Sequence, residues 1–384
     1  RSYGARFDGK SSFEIGSITK TFTATLFADM VVRDEVKPDD PIDLYLPPGT
    51  IAPAFGGHRI TLIDLATQSS GLPRMPTNFK PTNARDPYAD YDDSKLLAFL
   101  RAYPLPRAPG ATFEYSNLGF GLLGYLLARR LGVDYATAIR TRILNPLGMT
   151  HTVIPPAGAP VETVRGHDID GDPTSNWTLA ALAGAGAVVS TADDMLRFAR
   201  ANLDESGPLA AAMQLAHRPL REAEPGSRIG YAWLTNADGI VWHNGGTGGF
   251  RSFIGLDGAR GRAVVVLANE FSDRVDALGF HALDPNVPLP PAPLPDVPID
   301  PAVAATYVGR YRFSDGSIAT ISEDRRGLVV DFDMPEFRAR LHARSESRFT
   351  IRLAAIDITF RATRPIGMEV AQPGSPPELG TRLP

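Results

Sequence analysis

A proline-dense segment, Pro285 to Pro301, constrains the fold of this chain more than any other stretch. Proline fixes φ and has no backbone N–H, so such a segment suits neither a helix interior nor a central strand. We therefore predict a semi-rigid linker at residues 285–301. It separates a large N-terminal domain, 1–284, from a small C-terminal domain, 302–384.

The region after the linker favours β-structure. Several short runs alternate and are separated by turn residues, which predicts a small antiparallel barrel or curved sheet. These runs are residues 318–321, 327–332, 349–352 and 356–360. The tail from Gln372 onward shows no such pattern, and we expect it to be loose.

Composition excludes several classes of function. The hydrophobic fraction of 43% and the charged fraction of 21% are ordinary for a globular protein. The net charge of −4 comes with no basic block, which argues against nucleic acid as a partner. No apolar run is long enough to span a bilayer. The chain has no cysteine, so disulfides, catalytic thiols and thiolate metal sites are excluded.

The residues from Phe13 to Gly16 predict a turn that enters a helix, which runs from about Ser17 to Val32 with one buried apolar stripe. Residues three apart share a helix face, so Ser17 and Lys20 can meet. A lysine desolvated against an apolar wall can act as the base that activates a serine hydroxyl. The alternative is an N-capping serine followed by a solvated lysine.

A second segment, Tyr115-Ser116-Asn117, directly precedes an apolar helix predicted from Leu118 to Leu131. A tyrosine hydroxyl near a lysine can relay a proton, and an asparagine amide can orient both a lysine and a substrate carbonyl. The alternative is a turn tyrosine and an asparagine helix cap. Residues 74–94 predict a long surface loop, for which roofing a cleft is one possibility.

A third segment brings a strand, Ile240 to Trp242, up to a run of glycines. Glycines let a substrate backbone lie close along the strand, and they free a main-chain N–H to point at an oxyanion. No Gly-Lys-Ser/Thr follows, so this is not a phosphate loop. We expect two further strands, 252–256 and 263–267, and a closing helix over about 273–283.

Taken together, Ser17-Ile18-Thr19-Lys20, Tyr115-Ser116-Asn117 and His243-Asn244-Gly245 resemble the three active-site motifs of the serine β-lactamase and penicillin-binding-protein superfamily. The likeness covers about residues 3 to 270 and is closest to the class C-like branch, with its family VIII esterases and D-aminopeptidases. It implies an α/β (α+β) fold, with an antiparallel β-sheet flanked by helices and an all-helical subdomain. The C-terminal β segment resembles the lipocalin-like appendage of some relatives.

The resemblance implies a role for each matching residue. Ser17 would be the acylated nucleophile, and Lys20 its base or the partner of one. Tyr115 would relay the proton to the leaving group and help activate water. Asn117 would hold Lys20 and the substrate amide. The backbone N–H groups of Ser17 and Gly246 would form the oxyanion hole.

The third motif departs from the β-lactamase pattern. His243 stands where β-lactamases usually carry a lysine, with Asn244 and Gly245 beside it as further substrate-binding positions. A histidine is a weaker anchor for a substrate carboxylate, because it is charged only below a pKa near 6.5. His-x-Gly is typical of esterases, D-aminopeptidases and related peptidases of the superfamily, which places β-lactam hydrolysis second.

The sequence therefore predicts a serine hydrolase, without cofactor or metal, that cleaves ester or amide/peptide bonds of a small substrate. One alternative is a class C-like β-lactamase or DD-peptidase. Another, from a different class, is a non-catalytic penicillin-binding sensor that accepts an acyl group without turnover. The resemblance alone suggests a periplasmic or secreted location. Relatives usually carry a helix and strands before the serine motif, whereas 16 residues precede Ser17 here.

Overall fold

The computed structural model describes residues 7–272, 274–289, 292, 294–333, 336–352, 356–362, 366–372 and 375–384. The chain divides into two compact units, residues 1–290 and 291–384. The division falls inside the proline-dense segment. Among its described residues, positions 285–300 form neither helix nor strand.

The first unit contains mainly helices up to His217 and then a run of short strands. Its helices are α1 (Thr19–Val32), α2 (Leu62–Ala66), α3 (Asp93–Ala102), α4 (Asn117–Leu131), α5 (Tyr135–Ile139), α6 (Asn145–Leu147), α7 (Ala183–Gly186), α8 (Ala192–Leu203), α9 (Ala210–His217) and α10 (Arg274–Leu283). Asp273, the first residue of the expected closing helix, lies outside the described residues. None of the helices in the described ranges has both the length and the apolar character that a membrane crossing requires.

An antiparallel sheet forms the other layer of this unit. Its strands are β5 (Arg221–Glu222), β6 (Ser227–Ile229), β7 (Leu234–Asn236), β8 (Val241–Gly246), β9 (Arg251–Asp257) and β10 (Arg262–Ala268), in the spatial order β10-β9-β8-β7-β6-β5. Two smaller pairs are β1 (Ser12–Glu14) with β4 (Val189–Thr191), and β2 (Ala54–Phe55) with β3 (His58–Arg59). The expected antiparallel sheet flanked by helices is confirmed.

The two faces of the sheet pack into different cores because side chains alternate along a strand. On β9, Ile254 belongs to the large core that surrounds α1, whereas Phe253 packs with Val275 and Leu283 of α10. The sheet thus separates the large core from a small cluster under α10. This separation decides which residues of β8 face α1 and which face α10.

Helix α1 is the central element, and the prediction of a single buried stripe was wrong. All residues from Thr19 to Met30 are buried, on every side of the helix. Threonines make this possible because their hydroxyls are satisfied inside the core. Thr21 Oγ1 donates to Ile18 O at 2.7 Å, and Thr23 Oγ1 donates to Gly184 O at 2.8 Å.

The second unit is a small β domain with one helix, α11 (Pro301–Tyr307), in its described part. Its strands are β11 (Gly309–Arg312), β12 (Ile318–Asp324), β13 (Gly327–Asp333), β14 (Glu336–Arg340), β15 (His342–Ala343), β16 (Arg348–Ile351), β17 (Ile356–Arg361), β18 (Gly367–Ala371) and β19 (Glu378–Arg382). Their spatial order is β14-β13-β12-β11-β19-β18-β17-β16-β15. The two edge strands, β14 and β15, are separated only by Leu341, so the sheet is nearly closed.

The expectation of a loose tail from Gln372 onward was wrong for the last strand. β19 pairs with β11 on one side and with β18 on the other, so it joins the two halves of the sheet. Its sequence, Glu-Leu-Gly-Thr-Arg, carries no clear β pattern. The strand forms because two neighbours offer it a backbone ladder, a tertiary effect that local sequence does not show.

Candidate active site

Ser17 and Lys20 meet as their spacing predicted. Ser17 lies in a 3₁₀ turn, Gly16–Ile18, that leads into the first turn of α1. Lys20 Nζ lies 3.0 Å from Ser17 Oγ. Gly16 adopts φ +51, and a Cβ there would lie 2.6 Å from Gly246 N. The turn therefore requires glycine, because a side chain would push the end of β8 away from Ser17.

Lys20 is fully buried and has three polar neighbours. Besides Ser17 Oγ, its Nζ contacts Asn117 Oδ1 and Ala185 O, each at 2.8 Å. Burial, and then the positive charge of Arg74, lower the pKa of Lys20 well below its ordinary value of 10.5. A neutral amine has two N–H donors and one lone pair. The two carbonyl oxygens can take both donors, which leaves the lone pair for the Ser17 hydroxyl.

Asn117 is free to serve Lys20 because its neighbour caps the helix. Ser116 Oγ accepts a hydrogen bond from Gly119 N at 2.8 Å at the start of α4, and donates to Pro73 O at 2.6 Å. The cap therefore belongs to Ser116, not to Asn117. The amide nitrogen of Asn117 lies 3.8 Å from the sulfur of Met75.

The ring of Tyr115 lies close to Lys20, Arg74 and His243. The centre of its ring lies 4.8 Å from Lys20 Nζ, 4.9 Å from Arg74 Cζ and 6.5 Å from the ring centre of His243. Burial raises the pKa of Tyr115 to about 12, although a hydrogen bond with Ser17 opposes part of this shift. The phenol therefore keeps its proton at neutral pH and is available as a donor.

His243 faces the same cluster but carries no charge. It is buried, and its Nδ1 donates to the Asn244 carbonyl oxygen at 2.6 Å. Burial, reinforced by Lys20, lowers the pKa of His243 to about 3. The expected ionisation near 6.5 is therefore wrong for this position. A desolvated imidazole stays neutral across the physiological range.

The structure does not bring Asn244 to Ser17. Side chains alternate along β8, so Asn244 points to the face covered by α10. There it donates through Nδ2 to the Asp276 carboxylate, which also pairs with Arg251 at 2.7 Å. Asn244 thus binds the sheet to α10, and the substrate-binding position expected for it lies on the opposite face.

Gly245 admits the close approach of a backbone segment, but that segment belongs to this chain and not to a substrate. A Cβ on Gly245 would lie 1.9 Å from Ile15 O, whereas Ser252 Oγ donates to that oxygen at 2.8 Å. The last residues of β8 therefore press against the turn that carries Ser17. This contact holds Gly246 beside the serine.

A small pocket opens at Ser17, and aromatic residues form part of its wall. Its lining comprises Gly16, Ser17, Tyr88, Asn117, Trp177, Leu179, Ala185, Gly186, Gly246 and Thr247. The rings of Tyr88 and Trp177 lie 5.3 Å apart, which joins the long loop 74–94 to the other wall. Sequence reasoning missed both aromatics. The sequence signal for Tyr88 is weak, because the same loop also carries Phe79 and Tyr91.

Glu14 is a second residue that sequence reasoning missed. It is buried three positions before Ser17, and its Oε1 accepts from Asn176 Nδ2 at 2.7 Å and from Trp177 N at 2.8 Å. Burial raises the pKa of this carboxyl. Its contacts hold Trp177 close to β1, next to the turn that carries Ser17. Among the residues that the structure describes, no group of three or more acidic or histidine side chains could hold a metal ion.

Comparison with known proteins identifies the family to which this chain belongs. Residues 1–284 match the model of the family described as Beta-lactamase. The D-alanyl-D-alanine-carboxypeptidase/endopeptidase AmpH of Escherichia coli is 31% identical over 283 residues, 67% of this chain and 72% of AmpH. Penicillin-binding protein 4* of Bacillus subtilis is 26% identical over 388 residues, 91% of this chain and 82% of that protein.

A solved structure shows the same fold. The beta-lactamase/D-alanine carboxypeptidase of Yersinia pestis superimposes with a TM-score of 0.61 at 24% identity. The match covers 73% of this chain and 84% of that one. At 24% identity the likeness supports the architecture alone.

Proposed function

Because this chain belongs to the Beta-lactamase family and is a serine hydrolase of the class C-like branch, we propose that it cleaves ester or amide bonds of a small substrate through an acyl-enzyme on Ser17. The relative AmpH is named as a carboxypeptidase and endopeptidase, which makes peptide bonds a natural amide substrate. The observation that carries the proposal is the triple contact at Lys20 Nζ, with Ser17 Oγ and two carbonyl oxygens.

In the acylation step, Lys20 acts as the base. Its lone pair takes the proton of the Ser17 hydroxyl while Oγ attacks the substrate carbonyl. Full burial supports this role, because desolvation disfavours the ammonium and leaves an amine ready to accept a proton. Asn117 Oδ1 and Ala185 O fix the direction of the lone pair.

The oxyanion that forms in this step needs donors. The backbone N–H groups of Ser17 and Gly246 are our assignment, since the close packing of Gly245 on Ile15 keeps the end of β8 at the serine turn. Preorganised donors of this kind stabilise developing charge at no reorganisation cost.

Tyr115 serves the leaving group. Its raised pKa keeps the phenol protonated, so it can pass a proton to the departing alkoxide or amine. The ammonium formed on Lys20, 4.8 Å from the phenol ring, is the source that restores this proton. In deacylation the same groups act in reverse and take a proton from the attacking water.

We rank ester and peptide hydrolysis ahead of β-lactam hydrolysis. β-Lactamases of this superfamily usually carry a lysine at the position of His243. Here a buried imidazole with a pKa of about 3 supplies no cation for the carboxylate of a β-lactam. The loss of that ion pair is expected to weaken binding of such substrates.

The test is a panel of p-nitrophenyl esters, D-amino acid anilides and nitrocefin, assayed with wild-type protein and with Ser17→Ala. We expect turnover of esters or anilides that Ser17→Ala abolishes, together with loss of labelling by a fluorophosphonate probe. Undiminished labelling of Ser17→Ala would refute the nucleophile assignment. One equivalent of leaving group without a steady state would instead favour the acyl-accepting sensor.

A further inference from the structure

Arg74 places a positive charge beside the cluster of Ser17, Lys20 and Tyr115. Its side chain is exposed, and Cζ lies 4.9 Å from the centre of the Tyr115 ring. Across the described part of the chain, the structure records no ion pair or hydrogen bond for this guanidinium. Arg251, the other arginine near the site, is instead neutralised by Asp276 at 2.7 Å.

The backbone of Arg74 is fixed at the start of α4. Its carbonyl oxygen accepts hydrogen bonds from Asn117 N at 3.0 Å and from Leu118 N at 3.3 Å. The preceding carbonyl, of Pro73, accepts from Ser116 Oγ at 2.6 Å. Arg74 is therefore held on the same helix end as Tyr115 and Asn117, although it belongs to a long loop.

The other basic groups of the cluster cannot replace this charge. Lys20 is buried, and its pKa is lowered well below the ordinary value. His243 is buried and stays neutral. Since Arg251 is paired, Arg74 is the cation at the cleft, within the described residues, that is left to meet an anion.

We propose that Arg74 binds a carboxylate of the substrate, so that the enzyme prefers anionic esters or peptides to neutral ones of the same shape. The proposal rests on the function proposed for Ser17. A guanidinium suits this task because its planar fork matches the two oxygens of a carboxylate. Tyr115 connects Arg74 with Ser17, since Arg74 Cζ lies 4.9 Å from the centre of the Tyr115 ring and the Tyr115 side chain hydrogen-bonds with Ser17. The carboxylate therefore lies several bonds from the scissile carbonyl.

Two matched substrate pairs test the proposal and locate the carboxylate. The first pair compares mono-p-nitrophenyl glutarate, which carries a carboxylate on its acyl chain, with the neutral p-nitrophenyl valerate. The second pair compares 4-acetoxybenzoate, which carries a carboxylate on its leaving group, with the neutral 4-acetoxybenzamide. We expect the wild-type protein to show a higher kcat/KM for the anionic member of one pair.

Substitution then assigns the preference to a residue. In Arg74→Gln the anionic-to-neutral ratio of kcat/KM should fall by about tenfold, the scale of one charge-assisted hydrogen-bonded contact. Arg74→Lys should keep part of the ratio, because the charge remains while the fork is lost. The control is Arg130→Gln, which removes the same charge from an exposed residue about 20 Å further along α4.

The outcomes separate this inference from the function it rests on. Turnover that depends on Ser17, with equal ratios in wild-type and Arg74→Gln protein for both pairs, would overturn the carboxylate site alone. If the wild-type protein hydrolyses neither pair, calorimetric titration with 4-hydroxybenzoate and 4-hydroxybenzamide decides. Tighter binding of the benzoate that Arg74→Gln abolishes would support the site, and equal binding would refute it.

Discussion

Substitution of Gly245 by alanine tests how the sheet positions the serine turn. A Cβ on Gly245 would lie 1.9 Å from Ile15 O and 2.5 Å from Ser252 Oγ. Ordinary contact between such atoms begins at 3.4 Å, so the backbone must move by about 1.5 Å to admit one methyl group in a close-packed interior.

The expected cost follows from this displacement. Overpacking of this kind typically lowers the free energy of unfolding by about 1 to 3 kcal/mol. Movement of β8 away from Ile15 also displaces Gly246 from Ser17. A misplacement of about 1 Å in an active site can lower kcat by about 10²-fold.

The assay combines activity with stability. We would measure kcat for a p-nitrophenyl ester and the midpoint of urea unfolding for Gly245→Ala. Gly258→Ala is the control, because no atom lies within 4 Å of the Cβ that it would add. Wild-type kcat in a folded Gly245→Ala variant would refute the reasoning that this contact holds the oxyanion donor in place.

Three further predictions follow from the charges in the structure. Lys20→Ala should slow acylation by on the order of 10³-fold, since the activating base is lost; a stopped-flow burst with an unchanged rate would contradict this. His243 has a pKa of about 3, so His243→Gln should leave the pH profile of KM unchanged in shape between about pH 5 and 9; a limb near 6.5 that disappears in this variant would contradict it. Burial lowers the pKa of His217 to about 4, so below pH 6.5 the unfolded chain binds a proton that the folded chain does not. His217 should therefore contribute a loss of stability of about 3 kcal/mol between about pH 6.5 and 4. Urea unfolding of His217→Gln should show a smaller fall than the wild-type protein over this range, whereas an identical fall would count against this histidine.

Much of the candidate active site could be predicted from sequence because its parts are local motifs. The spacing of Ser17 and Lys20 fixes their contact within one helical turn, and the structure gives 3.0 Å between their reactive atoms. Tyr115 was placed just before α4 because its segment directly precedes a run of apolar residues that predicts a helix. That it meets Lys20 was expected only from the family resemblance, since no local pattern joins residues 95 positions apart.

The parts that sequence could not supply depend on tertiary contacts. The pKa of His243 is lowered by burial among residues from distant segments. The residue type alone predicts the ordinary pKa of a histidine, so the sequence suggested a group that ionises near neutral pH. Asn244 looked equivalent to its neighbours, and only the alternation of β8 within a sheet covered by α10 shows that it faces away. Strand β19 likewise exists because two other strands flank it.

The location of Arg74 illustrates a further limit. Its segment reads as a polar surface loop, and a loop arginine is normally solvated. Hydrogen bonds from Asn117 N and Leu118 N to its carbonyl oxygen bring it to the Tyr115 ring. Backbone contacts between a loop and a helix end leave no readable pattern in the side-chain sequence.

The central claim, an acyl-enzyme on Ser17, has a direct test in the trapped intermediate. Hydrolysis of p-nitrophenyl acetate would be quenched with acid during turnover, and the protein digested and mapped by mass spectrometry. We predict one acetyl group on the peptide that contains Ser17, increased in Tyr115→Phe if deacylation is slowed more than acylation. Turnover with the acetyl group on another residue, or with Ser17 unmodified throughout, would contradict the account.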